Sequence, residues 1–263
     1  MNWIDFRGKK VAYSEQGTGK TIVFLHGLCE DSSLWTEFIQ ELPQFHIICV
    51  DLSGFGASEI LPEHSIRLMA ESVKAVLDEL NVTDCVLIGH SMGGYVAVEF
   101  AKNYPEGVKG IGLFHSHPYA DSEERKRERQ KSMQFIQKNG SILYVKQLIP
   151  SLFAELFATS NEFLMNSLIF KASKYPPAAI IGAHEAMLNR PDNSEVLRKA
   201  TYPVLFIIGK QDKVVPYQVS LEQTHLPVLA DIHILAKVAH MGMYRAKNET
   251  LKIVRNFMQL TQL

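Results

Sequence analysis

Six short apolar runs, each too short for a typical helix, recur along the chain: TIVFLH (21–26), HIICVD (46–51), CVLIG (85–89), GIGLFH (110–115), PVLFIIG (203–209) and DIHILA (231–236). They are rich in β-branched residues and apolar at consecutive positions, as strands covered on both faces must be. Such strands need helices above and below them, and the sequence between the runs supplies these. Ile66, Met69, Ala70, Val73, Val76, Leu77 and Leu80 fall on one helical stripe, and 251–258 repeats the pattern. The alternation predicts an α/β fold, a mostly parallel twisted sheet with helices on both faces. At the front, KKVAYSEQGTGKTIVFLH (9–26) reads as two strands across a Gly-rich turn, which predicts an antiparallel hairpin at the edge of the sheet.

The alternation stops between 119 and 191. No strand pattern is present there, and the helical pattern is interrupted at Asn139-Gly140, Pro150 and Pro176-Pro177. This stretch is expected to be a helical cap inserted into a core formed by 1–118 and 192–263. Its first helix, EERKRERQK (123–131), pairs opposite charges at helical spacing, which suits a solvated face rather than a nucleic-acid surface. The large apolar side chains of the stretch, Phe135, Leu143, Phe153, Phe157, Phe163, Leu164, Met165 and Phe170, predict an apolar roof over the site. A basic group facing the pocket, Lys171, Lys174 or Arg190, is the contrary expectation.

Charge narrows the partners. Lys plus Arg number 27 against 28 Asp plus Glu, a net charge of −1, so no global field draws the chain to nucleic acid or an anionic membrane. A small-molecule substrate is expected, with no nucleic acid and no membrane as partner; the pattern sets no oligomeric state. The N-terminal MNWIDFRGKK lacks the basic and apolar regions of a signal peptide, which predicts a soluble, cytoplasmic protein. Three cysteines, 29, 49 and 85, read as reduced thiols rather than a disulfide framework.

The chemistry concentrates at GHSMGG (89–94). Gly89-His90-Ser91-Met92-Gly93 fits G-x-S-x-G, and it falls after a predicted buried strand and at the start of a predicted helix, where the motif has mechanical meaning. A sharp strand-to-helix turn crowds the backbone two positions either side, so glycines belong there. The turn would lift the Ser91 hydroxyl from the carboxyl edge of the sheet, beside the free N–H groups of a helix N-terminus. A turn of structural use alone is the rival reading, and the strand-to-helix context favours a nucleophile.

A serine hydroxyl needs a base, and the base needs an orienting acid. Of ten histidines, His240 alone lies in a loop between the last predicted strand and the final helix. Asp212 follows PVLFIIG closely, and the order Ser91, Asp212, His240 is the one expected on this kind of sheet; Asp121 is the second choice for the acid. For the oxyanion, Leu28 and Met92 are expected to supply backbone N–H groups, with His26 bracing the loop. Trp35, His115 and Ser116 are candidate substrate-binding residues. A metal site at His115, His117 and Asp121 lacks a further ligand cluster, so no metal is expected, and Cys29 reads as packing rather than a second nucleophile.

Together FLHG (24–27), DLSGFGAS (51–58), GHSMGG (89–94), GKQDKVVP (209–216) and AHMG (239–242) resemble the α/β-hydrolase fold family, and within it the capped serine esterase, lactonase and C–C hydrolase branch. The resemblance implies a Ser-His-Asp triad at Ser91, His240 and Asp212 with an oxyanion hole at Leu28 and Met92. It implies two-step acyl transfer on a small ester or lactone, with no cofactor. C–C bond hydrolysis on the same triad and a small-molecule receptor with slow turnover are the alternatives. Haloalkane dehalogenases and epoxide hydrolases carry Asp where this chain has Ser91.

Overall fold

The structure is a computed structural model and describes residues 1–261. Eight strands form one sheet in the order β1-β2-β4-β3-β5-β6-β7-β8. They are β1 (Asn2–Phe6), β2 (Lys9–Gln16), β3 (Thr21–Leu25), β4 (His46–Val50), β5 (Cys85–His90), β6 (Val108–Phe114), β7 (Val204–Gly209) and β8 (Ala230–Leu235). From β4 to β8 all neighbours run parallel, and only the β1–β2 and β2–β4 pairs are antiparallel. Every residue of β3, β5 and β7 is buried, as consecutive apolar runs require.

The edge hairpin is built differently from the expectation. β2 does not pair with β3; it pairs with β1, through the turn at Arg7 and Gly8, and on its other side with β4, Tyr13 standing opposite Val50. The Gly-rich stretch after β2 makes a close crossing instead of a hairpin turn. A Cβ at Gly17 would lie 2.1 Å from the carbonyl oxygen of Phe45, so only glycine lets the chain pass there.

A short helix, α1 (Thr36–Ile39), precedes β4, and α2 (Ile66–Glu79) and α3 (Met92–Asn103) flank β5 in sequence. Ser65 caps α2 by accepting the Leu68 N–H at 3.0 Å, and the predicted stripe from Ile66 to Leu77 is buried. Each fully buried aliphatic side chain of that stripe contributes about 1.5–3 kcal/mol relative to exposure. A charge at Val73, fully buried, would therefore detach α2. Along α3 every residue from Met92 to Ala101 is buried, because the helix is enclosed by the sheet and by α2.

After β6 come α4 (Glu123–Asn139), α5 (Ser141–Ser151), α6 (Glu155–Ser160), α7 (Glu162–Ala172) and α8 (Pro177–Leu188), with no strand among them. They pack on one another, α4 against α5 and α8, and α5 against α7. The two ends of this helical stretch are clamped together. Asp121 binds the Arg129 Nε at 2.5 Å and Arg190 at 2.8 Å, while Arg190 also donates to the Tyr119 carbonyl and lies 3.9 Å over the Tyr95 ring. The remaining helices are α9 (Ser194–Arg198), α10 (Tyr217–Glu222), α11 (Gly242–Arg245) and α12 (Lys247–Leu260). Among the described residues no helix is long and apolar enough to cross a membrane.

Strand order places the site. The chain leaves β3 toward β4 on one side, then returns to β5 on the other side of β3. Connections diverge at the carboxyl ends of β3 and β5, which opens a crevice there.

Candidate active site

The loops that follow β3, β5, β7 and β8 converge on that crevice, and each brings one of the expected groups. Ser91 sits between β5 and α3 at φ 50° and ψ −115°, a conformation that costs a non-glycine residue of order 1–3 kcal/mol. Its surroundings admit no side chains on either flank. A Cβ at Gly89 would lie 2.2 Å from the Gly93 carbonyl oxygen, and one at Gly93 would lie 2.4 Å from that of Leu25. The strained turn is thus held by the sheet behind it, and the motif glycines are there for close approach.

His240 donates from Nδ1 to Asp212 Oδ2 at 2.7 Å, both side chains being almost completely buried. Asp212 Oδ1 accepts the Val214 and Val215 N–H groups at 2.8 and 3.0 Å. Burial pushes the Asp212 carboxyl up, but His240, the neighbouring His115 and the Val215 N–H outweigh it and hold the group below the usual carboxylate range. An ionised Asp212 fixes the His240 tautomer with Nε2 bare, ready to accept a proton. Asp121, the alternative acid, is committed to Arg129 and Arg190 and has no contact with His240.

Ser91, His240 and Leu28 line one cavity of about 400 Å³. Met92 is the first residue of α3, so its N–H has no partner within the helix. The Leu28 N–H donates to no acceptor among the described residues. His26 braces the loop as expected: Nδ1 donates to the Gly27 carbonyl at 2.8 Å and Nε2 accepts the Leu52 N–H at 2.8 Å. Burial pushes the Cys29 thiol far up, so it offers no thiolate.

The three substrate-binding candidates lie outside the cavity. Trp35 is fully buried against Phe24, Phe38 and Phe114, as an anchor of the core. His115, at φ 51°, sits behind Asp212: its Nε2 accepts the Gly242 N–H at 3.2 Å, which leaves the proton on Nδ1, 3.8 Å from Asp212 Oδ2. Burial holds its pKa well below the ordinary value, so it is a neutral prop to the acid. Ser116 donates its hydroxyl to the Ser91 carbonyl at 2.7 Å and supports the elbow from beneath. His115 and Ser116 directly follow the end of β6, but one is turned behind Asp212 and the other beneath the elbow.

The eight side chains expected to form an apolar roof do not form it. Phe163, Phe170 and Leu143 are exposed, Phe153 and Phe157 stack on each other, and none of the eight apolar residues lines the cavity. Helical phase turns another face downward. The wall is mixed, with Arg125, Glu128, Arg129, Ser132, Tyr144 and Gln147 from α4 and α5 and Lys213 from the β7 loop set beside the apolar Leu148, Leu152 and Met187. The contrary candidates do not face it either: Lys171 binds Asp31, Lys174 lies over Phe170, and Arg190 is engaged at the clamp.

Sequence reasoning missed four groups at the cavity, three of them buried. Glu30 and His90 form an ion pair at 2.9 Å, and the Tyr144 hydroxyl meets His184 Nε2 at 2.8 Å. Burial holds His184 down to about 3, so it is neutral. His90 was legible as the variable residue before Ser91. For Glu30 and His184 no local pattern gives a signal.

The alpha/beta hydrolase fold family model matches residues 20–242, and the chain belongs to that family. Over 262 residues it is 27% identical to a 2-hydroxy-6-oxononadienedioate/2-hydroxy-6-oxononatrienedioate hydrolase of Paraburkholderia phymatum, covering 95% of this chain and 91% of that one. It is 25% identical over 227 residues to a 2-succinyl-6-hydroxy-2,4-cyclohexadiene-1-carboxylate synthase of Escherichia coli, 83% and 86% of the two chains. Among solved structures, a thermophilic esterase of Thermogutta terrifontis superposes with a TM-score of 0.90 at 24% identity, covering 95% and 93% of the chains. The enol-lactonase of Burkholderia xenovorans does so with a TM-score of 0.90 at 18% identity, covering 98% and 100%.

Proposed function

We propose that this chain is a serine hydrolase that cleaves a small carboxylic ester or lactone through an acyl-enzyme. The single observation that carries the reading is the buried His240–Asp212 hydrogen bond of 2.7 Å, opening on the same cavity as a serine held in a strained elbow. Ser91 Oγ attacks the carbonyl as His240 takes its proton. Asp212 holds the imidazole tautomer and stabilises the imidazolium. The N–H groups of Leu28 and Met92 receive the oxyanion; the leaving group takes the proton back, and water repeats the sequence on the acyl-enzyme.

The 119–191 stretch acts as the cap and sets the substrate. Its face over Ser91 sets Arg125, Ser132, Tyr144 and Gln147 among Leu148, Leu152 and Met187, which supports a substrate with an apolar body and a hydrogen-bonding or anionic group beyond the reacting carbonyl. C–C bond hydrolysis on the same residues is the second reading, supported by the Paraburkholderia relative's name as a hydrolase of 2-hydroxy-6-oxo dienedioates. Parallel assays of p-nitrophenyl esters, lactones and vinylogous 1,5-diketones, on the wild type and Ser91→Ala, separate the two. Turnover of the esters and lactones alone supports the first reading, and turnover of the diketones alone replaces it with the second.

A further inference from the structure

The three segments that meet at the candidate active site are distant in sequence, and a single hydrogen-bonded chain ties them together. Glu30 Oε2 accepts the Gly27 N–H at 2.7 Å in the loop after β3. The same oxygen lies 2.9 Å from His90 Nδ1, the residue before Ser91. The other ring nitrogen, His90 Nε2, lies 2.9 Å from the carbonyl oxygen of His240. Gly27 is where these groups crowd: a Cβ there would lie 2.8 Å from Glu30 Oε2, 2.9 Å from His90 Nδ1 and 3.2 Å from the Ser91 Cβ.

Proton positions follow from the partners. A carbonyl oxygen only accepts, so Nε2 of His90 carries a proton. Glu30 Oε2 already accepts from a backbone N–H, which favours the ionised carboxylate, and an ionised carboxylate can only accept a second hydrogen bond, so Nδ1 carries a proton and donates it. His90 is then doubly protonated. Burial alone would neutralise both groups, pushing Glu30 up and His90 down. Their mutual attraction prevails, Glu30 lying below its ordinary range and His90 above. The other groups facing the pair are His26, Cys29 and Tyr244 on the Glu30 side and His240, His115 and Asp212 on the His90 side.

We propose that Glu30 and His90 are positioning residues, a buried carboxylate–imidazolium pair that holds the oxyanion loop, the elbow and the His240 loop in register for attack by Ser91. The role rests on the reading of Ser91 and His240 as nucleophile and base. The pair spans all three segments at once, so its loss loosens the position of His240 relative to Ser91 while the His240–Asp212 hydrogen bond stays in place. Displacements of about 1 Å at such a site lower rates by as much as a hundredfold.

The test reads the pair and the attack separately. Long-range proton–nitrogen spectra of uniformly labelled wild type, with His90→Asn to identify the ring signals, are expected to show both His90 nitrogens protonated at pH 7.5. A His90 ring with one bare nitrogen would overturn the proposal. Glu30→Gln keeps the size of the side chain and the contact to Gly27 but removes the charge. It is expected to remain folded by circular dichroism, to lose one His90 proton, and to react with a fluorophosphonate roughly 10–100-fold more slowly than wild type. Unchanged labelling in Glu30→Gln, with His90 reduced to a single proton, would show that the charged pair positions nothing. Should Glu30→Gln not fold, the wild-type spectrum still decides the charge state, and His90→Asn, expected to be slowed to a similar degree, replaces it in the labelling assay. A wild type that is not labelled at Ser91 at all would overturn the nucleophile reading instead, and is told apart by that result.

Discussion

Tyr175, at the end of the α7 loop, donates its hydroxyl to Asp31 Oδ2 at 2.6 Å, and so latches the helical stretch onto the loop that carries Leu28 and Glu30. Lys171 joins the latch through Asp31 Oδ1 at 2.5 Å and through Ser33. Burial pushes the Asp31 carboxyl up, but hydrogen bonds from Lys171 and Tyr175 reverse this and hold it at about 2. Tyr175→Phe removes one hydrogen bond to a charged group, a loss of about 1.5–3 kcal/mol. Hydrogen exchange should accelerate in α7 and α8 well before it does in β5, and equal acceleration in both would show that the latch is not local.

Asp212→Asn should leave the fold intact, because the Val214 and Val215 N–H groups still find a side-chain oxygen. The amide no longer fixes the His240 tautomer, and kcat on a small ester should fall by roughly ten-thousandfold, as in the best-studied triad of another fold. Near-normal kcat would remove Asp212 from the mechanism.

Acid should destabilise the protein from about pH 6.5 downward. Burial holds His117 and His184 at about 3, helped by Arg190 near His117 and by Arg129 and Arg125 near His184. Between about pH 3 and 6.5 the unfolded chain therefore binds protons that the folded chain refuses, so stability rises with pH across that window. Each group adds a slope of at most about 1.4 kcal/mol per pH unit. The depressed carboxyls of Asp31 and Asp212 act with the same sign below about pH 4, where their contribution fades as they protonate. His90, held up, works oppositely: its contribution is present below about pH 6.5 and fades as pH rises through its folded value. Urea titrations from pH 4 to 7 on wild type and His184→Gln measure this. A slope no flatter in the variant would contradict the assignment.

Selectivity among esters should follow charge and polarity rather than chain length. Arg125, Glu128, Arg129 and Lys213 face the cavity; Arg129 is neutralised by Asp121 and Arg125 by Glu128, which leaves the charge of Lys213. A succinyl ester is expected to exceed a butyryl ester in kcat/KM, and Lys213→Ala to lower that ratio by up to about fivefold, since a partly exposed charge contributes about 1 kcal/mol at most. A kcat/KM that climbs steadily from acetyl to octanoyl, with the succinyl ester disfavoured, would restore an apolar roof.

The sheet was legible because buried parallel strands write themselves as consecutive apolar runs, and the elbow because Gly89 and Gly93 have a steric reason to be glycine. Positions of Asp212 and His240 followed from the rule that strand ends face the crevice. That rule stops at the end of the strand: His115 and Ser116 also follow a strand end, yet the backbone turns them behind the acid and beneath the elbow. The 119–191 stretch was legible only as helix. Which faces of α4 and α5 look down depends on their packing against each other and against α7 and α8, which no periodicity along either helix records, and so Arg125 and Tyr144 were missed where Phe163 was expected. β1 was missed because an edge strand exposed to water carries too few apolar residues to stand out.

The central claim is that Ser91 is a nucleophile activated by His240, and the most direct measurement of it is covalent labelling located by peptide mass spectrometry. A fluorophosphonate probe is expected to add to the peptide containing Ser91 in the wild type, to add far more slowly in His240→Ala, and not to add in Ser91→Ala. Labelling that persists in Ser91→Ala, or a wild type that stays unlabelled while folded, would contradict the claim.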